Sequence, residues 1–115
     1  DYISGIYSNN ANQIRNTAAK INKEKLFAIE LLDFAAERLL TQKKYDDGQM
    51  QDAMAWLCRI LGGSRNDRYF DILTRIKQNT RSKKIRRYAK KALNNLNGEK
   101  EITQYERGMV ADNIK

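Results

Sequence analysis

Not one of the 115 residues is proline, and the six glycines sit near the ends or in apparent breaks. Long runs free of both residues favour helices, because proline removes a donor and glycine costs backbone entropy inside a helix. Apolar residues recur at helical spacing in almost every segment. Tyr69, Ile72, Leu73 and Ile76 do so, and so do Ile85, Ala89, Ala92, Leu93 and Leu96. Between these two runs lies the polar break Gln78 to Ser82, with Ser82 placed as an N-cap. Two helices joined by so short a link form an antiparallel hairpin. The expected class is therefore all-α, in a single domain over 1–115.

The remaining segments extend this reading. Ile3, Tyr7, Ala11, Ile14, Ala18 and Ile21 form one stripe, interrupted by Ser8-Asn9-Asn10. A short turn followed by a helix over about 10–21, capped by Asn9 or Asn10, fits that interruption. Asn22 then caps a helix from Lys23 to Thr41 that is apolar on most sides, the expected centre of the domain. Its breadth also admits a homodimer. A polar link, Gln42 to Gly48, offers Asp46 or Asp47 as the next cap. Met50, Ala53, Met54, Leu57, Cys58, Ile60 and Leu61 follow on one face, and Gly62-Gly63-Ser64 closes that helix. Asn66 or Asp67 caps the hairpin, and Asn97-Gly98 ends it. In the tail, 99–115, the spacing of Ile102, Tyr105, Met109, Val110 and Ile114 suits a short docked helix that Gly108 weakens.

Charge is distributed unevenly. Ile72 to Gly98 holds nine Lys or Arg and no acid, whereas the rest of the chain holds thirteen basic and fourteen acidic residues. One hairpin thus carries more than the whole net charge of +8. With Ile85 at zero on a helical wheel, Tyr88, Ala89, Ala92, Leu93 and Leu96 span about 300° to 80°. Lys83, Lys84, Arg86, Arg87, Lys90 and Lys91 span about 100° to 260°, the solvent side. Like charges four apart, such as Arg86 with Lys90, repel within the helix. Asp52 is a candidate to relieve them.

Met50, Met54, Leu57, Cys58 and Leu61 map onto Ile85, Ala89, Ala92, Leu93 and Leu96, each thirty-five residues later. That period suggests two stacked helix pairs, at about 23–63 and 66–98, with the first helix and the tail as caps. A five-helix bundle is the alternative. The pattern Tyr69-Phe70-Asp71-Ile72-Leu73, followed by Lys84-Ile85-Arg86-Arg87-Tyr88-Ala89-Lys90-Lys91-Ala92-Leu93, resembles a repeat of the HEAT-like family. The resemblance implies a short α-α superhelix. It implies a scaffold for protein–protein contacts, with some relatives binding DNA, and it places Ile85 to Leu96 on the concave face. The chain departs from the family pattern in lacking the proline common in the first helix and in having few repeats.

Little here points to chemistry. There is no histidine and one cysteine, Cys58, which removes the commonest general base, the commonest zinc ligand and any thiolate cluster. Cys58 reads as a buried small hydrophobe. Gly62-Gly63-Ser64 beside Arg65 lacks the spacing and lysine of a phosphate loop. Glu30, Asp33 and Glu37 share a helix face and could hold a divalent cation, but a solvated polar stripe is the expectation. No cofactor and no catalysis are expected. No run of eighteen apolar residues exists to span a membrane, and no signal segment is visible. The composition is an ordinary soluble one, and the compartment stays open with a lean toward the cytoplasm.

The expected function is an interaction module. Its basic surface is Arg81, Lys83, Lys84, Arg86, Arg87, Lys90 and Lys91, and its partner is an acidic protein surface. Nucleic-acid phosphates are the alternative ligand for the same residues, with Tyr88 at the edge as a core tyrosine or a stacking ring. A structural domain without a specific ligand is the third reading.

Overall fold

The computed structural model describes residues 1–42 and 47–110. Among them six α-helices follow one another: α1 Tyr2–Ile6, α2 Ala11–Glu24, α3 Ile29–Thr41, α4 Gly48–Gly63, α5 Phe70–Asn79 and α6 Lys83–Asn94. One turn of 3₁₀ helix, Asp67–Tyr69, leads into α5, and no strand occurs among the described residues. The all-α class holds.

Side-chain caps start most of these elements. Asn10 Oδ1 accepts the Gln13 N–H at 3.2 Å, and Asp47 Oδ1 accepts the Gln49 N–H at 2.8 Å. Asn66 Oδ1 takes the Arg68 N–H at 2.9 Å, and Ser82 Oγ the Ile85 N–H at 3.1 Å. Each satisfies a donor that the first turn leaves without an intrahelical partner. Asp46, the other candidate ahead of α4, lies outside the described residues.

Two boundaries differ from the sequence reading. Helix α2 does not stop before Asn22 but continues to Glu24, so Asn22 lies within its last turn. Lys25 then adopts φ 55°, ψ 45°, and its N–H donates to Asn22 O while that of Leu26 donates to Ile21 O. This left-handed cap turns the chain so that Leu26 and Phe27 pack on the core from a linker, and α3 begins only at Ile29. At the far end of α4, Gly62 and Gly63 remain helical and Ser64 is the cap. The left-handed residue is Arg65, at φ 56°. Gly62 serves packing instead: a methyl built on it would sit 2.5 Å from Ala92 Cα.

The helices form two layers. Helix α4 packs on both α2 and α6, making an inner row. Its members run parallel, because Arg15 of α2 meets Asp52 of α4 and Asn22 meets Gly63. Likewise Ser82 meets Gln51, and Gly62 meets Ala92. On the other side α1 packs on α2, α3 on α4 and α5 on α6, with α3 also touching α1 and α5. The core lies between the layers. Met54, Leu57 and Leu61 are buried there, as are Ala89, Ala92 and Leu96, one period later; Cys58 and Ile85 are buried too, while their counterparts Leu93 and Met50 are half-buried. The caps Asp47 and Ser82 are also thirty-five residues apart. Helix α3 turns its broad apolar surface inward, burying Leu32, Phe34, Ala35, Ala36 and Leu39 and leaving Ile29 exposed.

The expected solvated strip on α3 is mostly a docking rail for the chain itself. Asp33 is 1% exposed. Its Oδ1 and Oδ2 accept Arg68 Nε and Nη2, both at 2.9 Å, and Oδ1 also accepts the Tyr69 hydroxyl at 2.8 Å. Glu37 Oε1 accepts the Tyr105 hydroxyl at 2.6 Å and the Gly108 N–H at 2.8 Å. Only Glu30 is exposed. The tail therefore docks: Glu99 to Met109 runs as turns and irregular chain, and Val110 is the first helical residue after it. Tyr105 and Val110 are buried and Ile102 stays out. Ile114 lies outside the described residues. Asp67 fastens the start of this segment by accepting the N–H groups of Asn97 at 2.8 Å and Glu99 at 3.0 Å. Hydrogen bonds from Glu99 and Asn97 hold its carboxyl below the ordinary range.

Candidate binding surface

Helix α6 owes its placement to three devices. Ser82 caps its first turn and also donates to Gln51 Oε1 at 3.0 Å, tying it to the start of α4. Ile85, Ala89 and Ala92 are buried against α4 and α5. The small Ala92 lets α4 approach closely at Gly62. The opposite side carries the cations, as the wheel requires.

The seven candidate residues do not share one environment. Lys83, Arg87, Lys90 and Lys91 are exposed along α6, and Arg81 is exposed in the link before it. None of the five has a carboxylate within ion-pair reach among the described residues. Lys84 is half-buried, and its Nζ lies 2.7 Å from Asp52 Oδ1. Arg15 of α2 reaches Asp52 Oδ2 at 2.9 Å, so this carboxylate links all three inner helices. Asp52 relieves α6 at Lys84 alone. Arg86 is exposed but occupied, since its Nη2 donates to Thr80 O at 2.8 Å, beyond the end of α5.

Further along the row, aromatic rings hold cations that have no ion-pair partner among the described residues. The Arg59 guanidinium stacks 3.8 Å from the centroid of the Trp56 ring. The half-buried Tyr88 ring has Lys91 Nζ at 4.9 Å, Arg87 at 5.3 Å and Arg59 at 5.9 Å. Such contacts attract a cation to the ring face without cancelling its charge. Beside them opens a cavity of about 360 Å³, where the C-terminal ends of α2, α4 and α6 meet. It is lined by Asn22, Arg59, Gly63, Tyr88, Lys91, Ala92 and Asn95.

Arg59, Trp56 and Asn95 went unread in the sequence, and Asn22 was read only as a helix cap. One signal was present: Trp56 stands thirty-five residues before Lys91, so a stacked repeat sets the two on neighbouring helices. Among the described residues no group of three or more His, Cys, Asp or Glu side chains could hold a metal ion. Cys58 lies within α4, fully buried, and burial pushes its thiol up to about 12. No described helix is long and apolar enough to cross a membrane. No family model matches this sequence, and comparison with curated proteins and with solved structures finds no match.

Proposed function

We propose that this chain is a non-catalytic helical-repeat interaction module of HEAT-like type, whose α2–α4–α6 face receives an acidic segment of another protein. One observation carries the reading. Arg81, Lys83, Arg87, Lys90 and Lys91 lack carboxylate partners among the described residues. Meanwhile Asp33, Glu37 and Asp67 are engaged inside the fold. These three acids are thus turned away from the face where the cations collect, and Asp52, which lies on that face, is taken up by Arg15 and Lys84. Such a surface steers an oppositely charged partner and rejects a like-charged one. The two-layer packing of helix pairs supports the repeat reading, because successive pairs supply a continuous row of parallel helices.

Nucleic-acid phosphate is the second reading, favoured by the run of exposed cations along a single helix. The aromatic rings argue for the protein partner. Trp56 and Tyr88 already hold cations of this chain, so base stacking would compete with those contacts. Titration with a labelled oligo-glutamate peptide, a duplex and a single strand, each at low and moderate salt, separates the two. We expect peptide binding that weakens with salt, and about tenfold weaker binding in the double variant Lys83→Glu, Lys90→Glu. Tight binding of either nucleic acid with none of the peptide would overturn the reading.

A further inference from the structure

We propose that the cavity between the ends of α2, α4 and α6 is a carboxylate pocket, filled by an aspartate or glutamate side chain of an acidic peptide. The proposal rests on the reading that an acidic segment lies on this face.

Four of its lining groups are polar side chains: Asn22, Arg59, Lys91 and Asn95. Neither cation is in an ion pair among the described residues. The helix ends around them are closed. Ile21 and Asn22 carbonyls accept from Leu26 and Lys25, those of Ile60 and Gly62 from Ser64 and Arg65, and those of Leu93 and Ala92 from Leu96 and Asn95. At least two of the last four carbonyls of each helix are thus engaged, which lessens the partial negative charge usual at a helix C-terminus. Against what is left of it stand the side-chain donors. Arg59 offers a planar fork suited to a carboxylate, Lys91 a second positive charge, and the two carboxamides further N–H groups.

Tyr88 sets the spacing. Its ring lies between Arg59 at 5.9 Å and Lys91 at 4.9 Å, holding both near the cavity without neutralising either. Room is left because Gly63 and Ala92 supply the walls where larger residues would stand. Even a methyl on Gly63 would come within 3.1 Å of Asn22 Oδ1. A volume of about 360 Å³ exceeds a bare carboxylate and accommodates an acidic side chain with part of its backbone.

The test uses the full chain, a fluorescein-labelled oligo-glutamate peptide and anisotropy at low salt. Asn95→Trp fills the mouth without changing net charge. Asn95 is an exposed cap residue at φ −87°, ψ −5°, a negative-φ conformation open to tryptophan. Arg59→Gln removes the fork without filling the space. Lys83→Glu with Lys90→Glu alters the charge of the face and leaves the lining intact. Thermal unfolding checks each fold, and Asn95→Phe, a smaller filler at the same exposed site, decides the matter if Asn95→Trp fails to fold. We expect Asn95→Trp and Arg59→Gln each to weaken the peptide about tenfold or more, and an oligo-glutamine peptide not to bind. Full binding by both variants alongside weakening in the Lys83, Lys90 variant would overturn the pocket and leave the module reading standing. Weakening by Arg59→Gln alone would report lost charge only and would also overturn it. No peptide binding by the parent protein would defeat the module reading itself. A thymidine oligonucleotide bound in the peptide's place and displaced by Asn95→Trp would assign the pocket to phosphate instead.

Discussion

Asp33 shows how much can hang on a single side chain. Its two oxygens accept a forked pair from Arg68 and a hydroxyl from Tyr69. Removing it leaves the Arg68 guanidinium, 19% exposed, and a buried phenol without their acceptor. Asp33→Ala is expected to cost about 3–5 kcal/mol, toward the lower end because water still reaches Arg68. A lowered urea midpoint with unchanged slope is the readout, and a loss below about 1 kcal/mol would count against the pair as a structural anchor. That Glu30, Asp33 and Glu37 share a face was legible from their spacing. Which of them is buried was not, because helical spacing gives the direction of a side chain and not what approaches it. The offset of thirty-five residues between Asp33 and Arg68 was the one available hint.

Helix α6 was the most legible element. Its cap Ser82, its aliphatic side and its charged side all follow from periodicity, and the structure places each where expected. The start of α3 was not legible, because Lys25 takes a left-handed conformation that glycine or asparagine usually marks, and Arg65 does the same after α4. Gly62 misleads in the opposite sense: it has the look of a helix stop but answers to the neighbouring helix. Gly62→Ala would gain up to about 1 kcal/mol of helix propensity. It would also force a methyl to within 2.5 Å of Ala92 Cα, where backbone cannot yield. Overpacking of this kind costs about 1–3 kcal/mol, so net destabilisation is expected, measured by denaturant unfolding. Gly48→Ala is the control, since nothing lies within 4 Å of a methyl there.

For the molecule as a whole, stability against pH should form a plateau with two shoulders. On the acid side Asp67 is held low by the N–H groups of Glu99 and Asn97. Its contribution is complete above the unfolded value near pH 4 and is lost as pH falls through the lower folded value. On the alkaline side burial raises Tyr69 and Tyr105, helped by hydrogen bonds to Asp33 and Glu37. Burial, then the charge of Glu37, pushes Tyr7 up to about 12 against the opposing Arg38. These contributions are complete below about pH 10 and are lost as pH rises through the folded values. Urea midpoints across pH would show both shoulders, and Asp67→Asn should flatten the acid one. At this scale the basic stripe was readable and the cavity was not. A stripe lies on one helix, whereas the cavity needs Asn22, Arg59 and Lys91 brought together from three. The Glu37 clasp on Tyr105 and Gly108 has a mechanical corollary. A load applied to the C-terminal end reaches α3 through two short, parallel bonds before it reaches α6, so the first rupture under force should release a segment shorter than any helix pair.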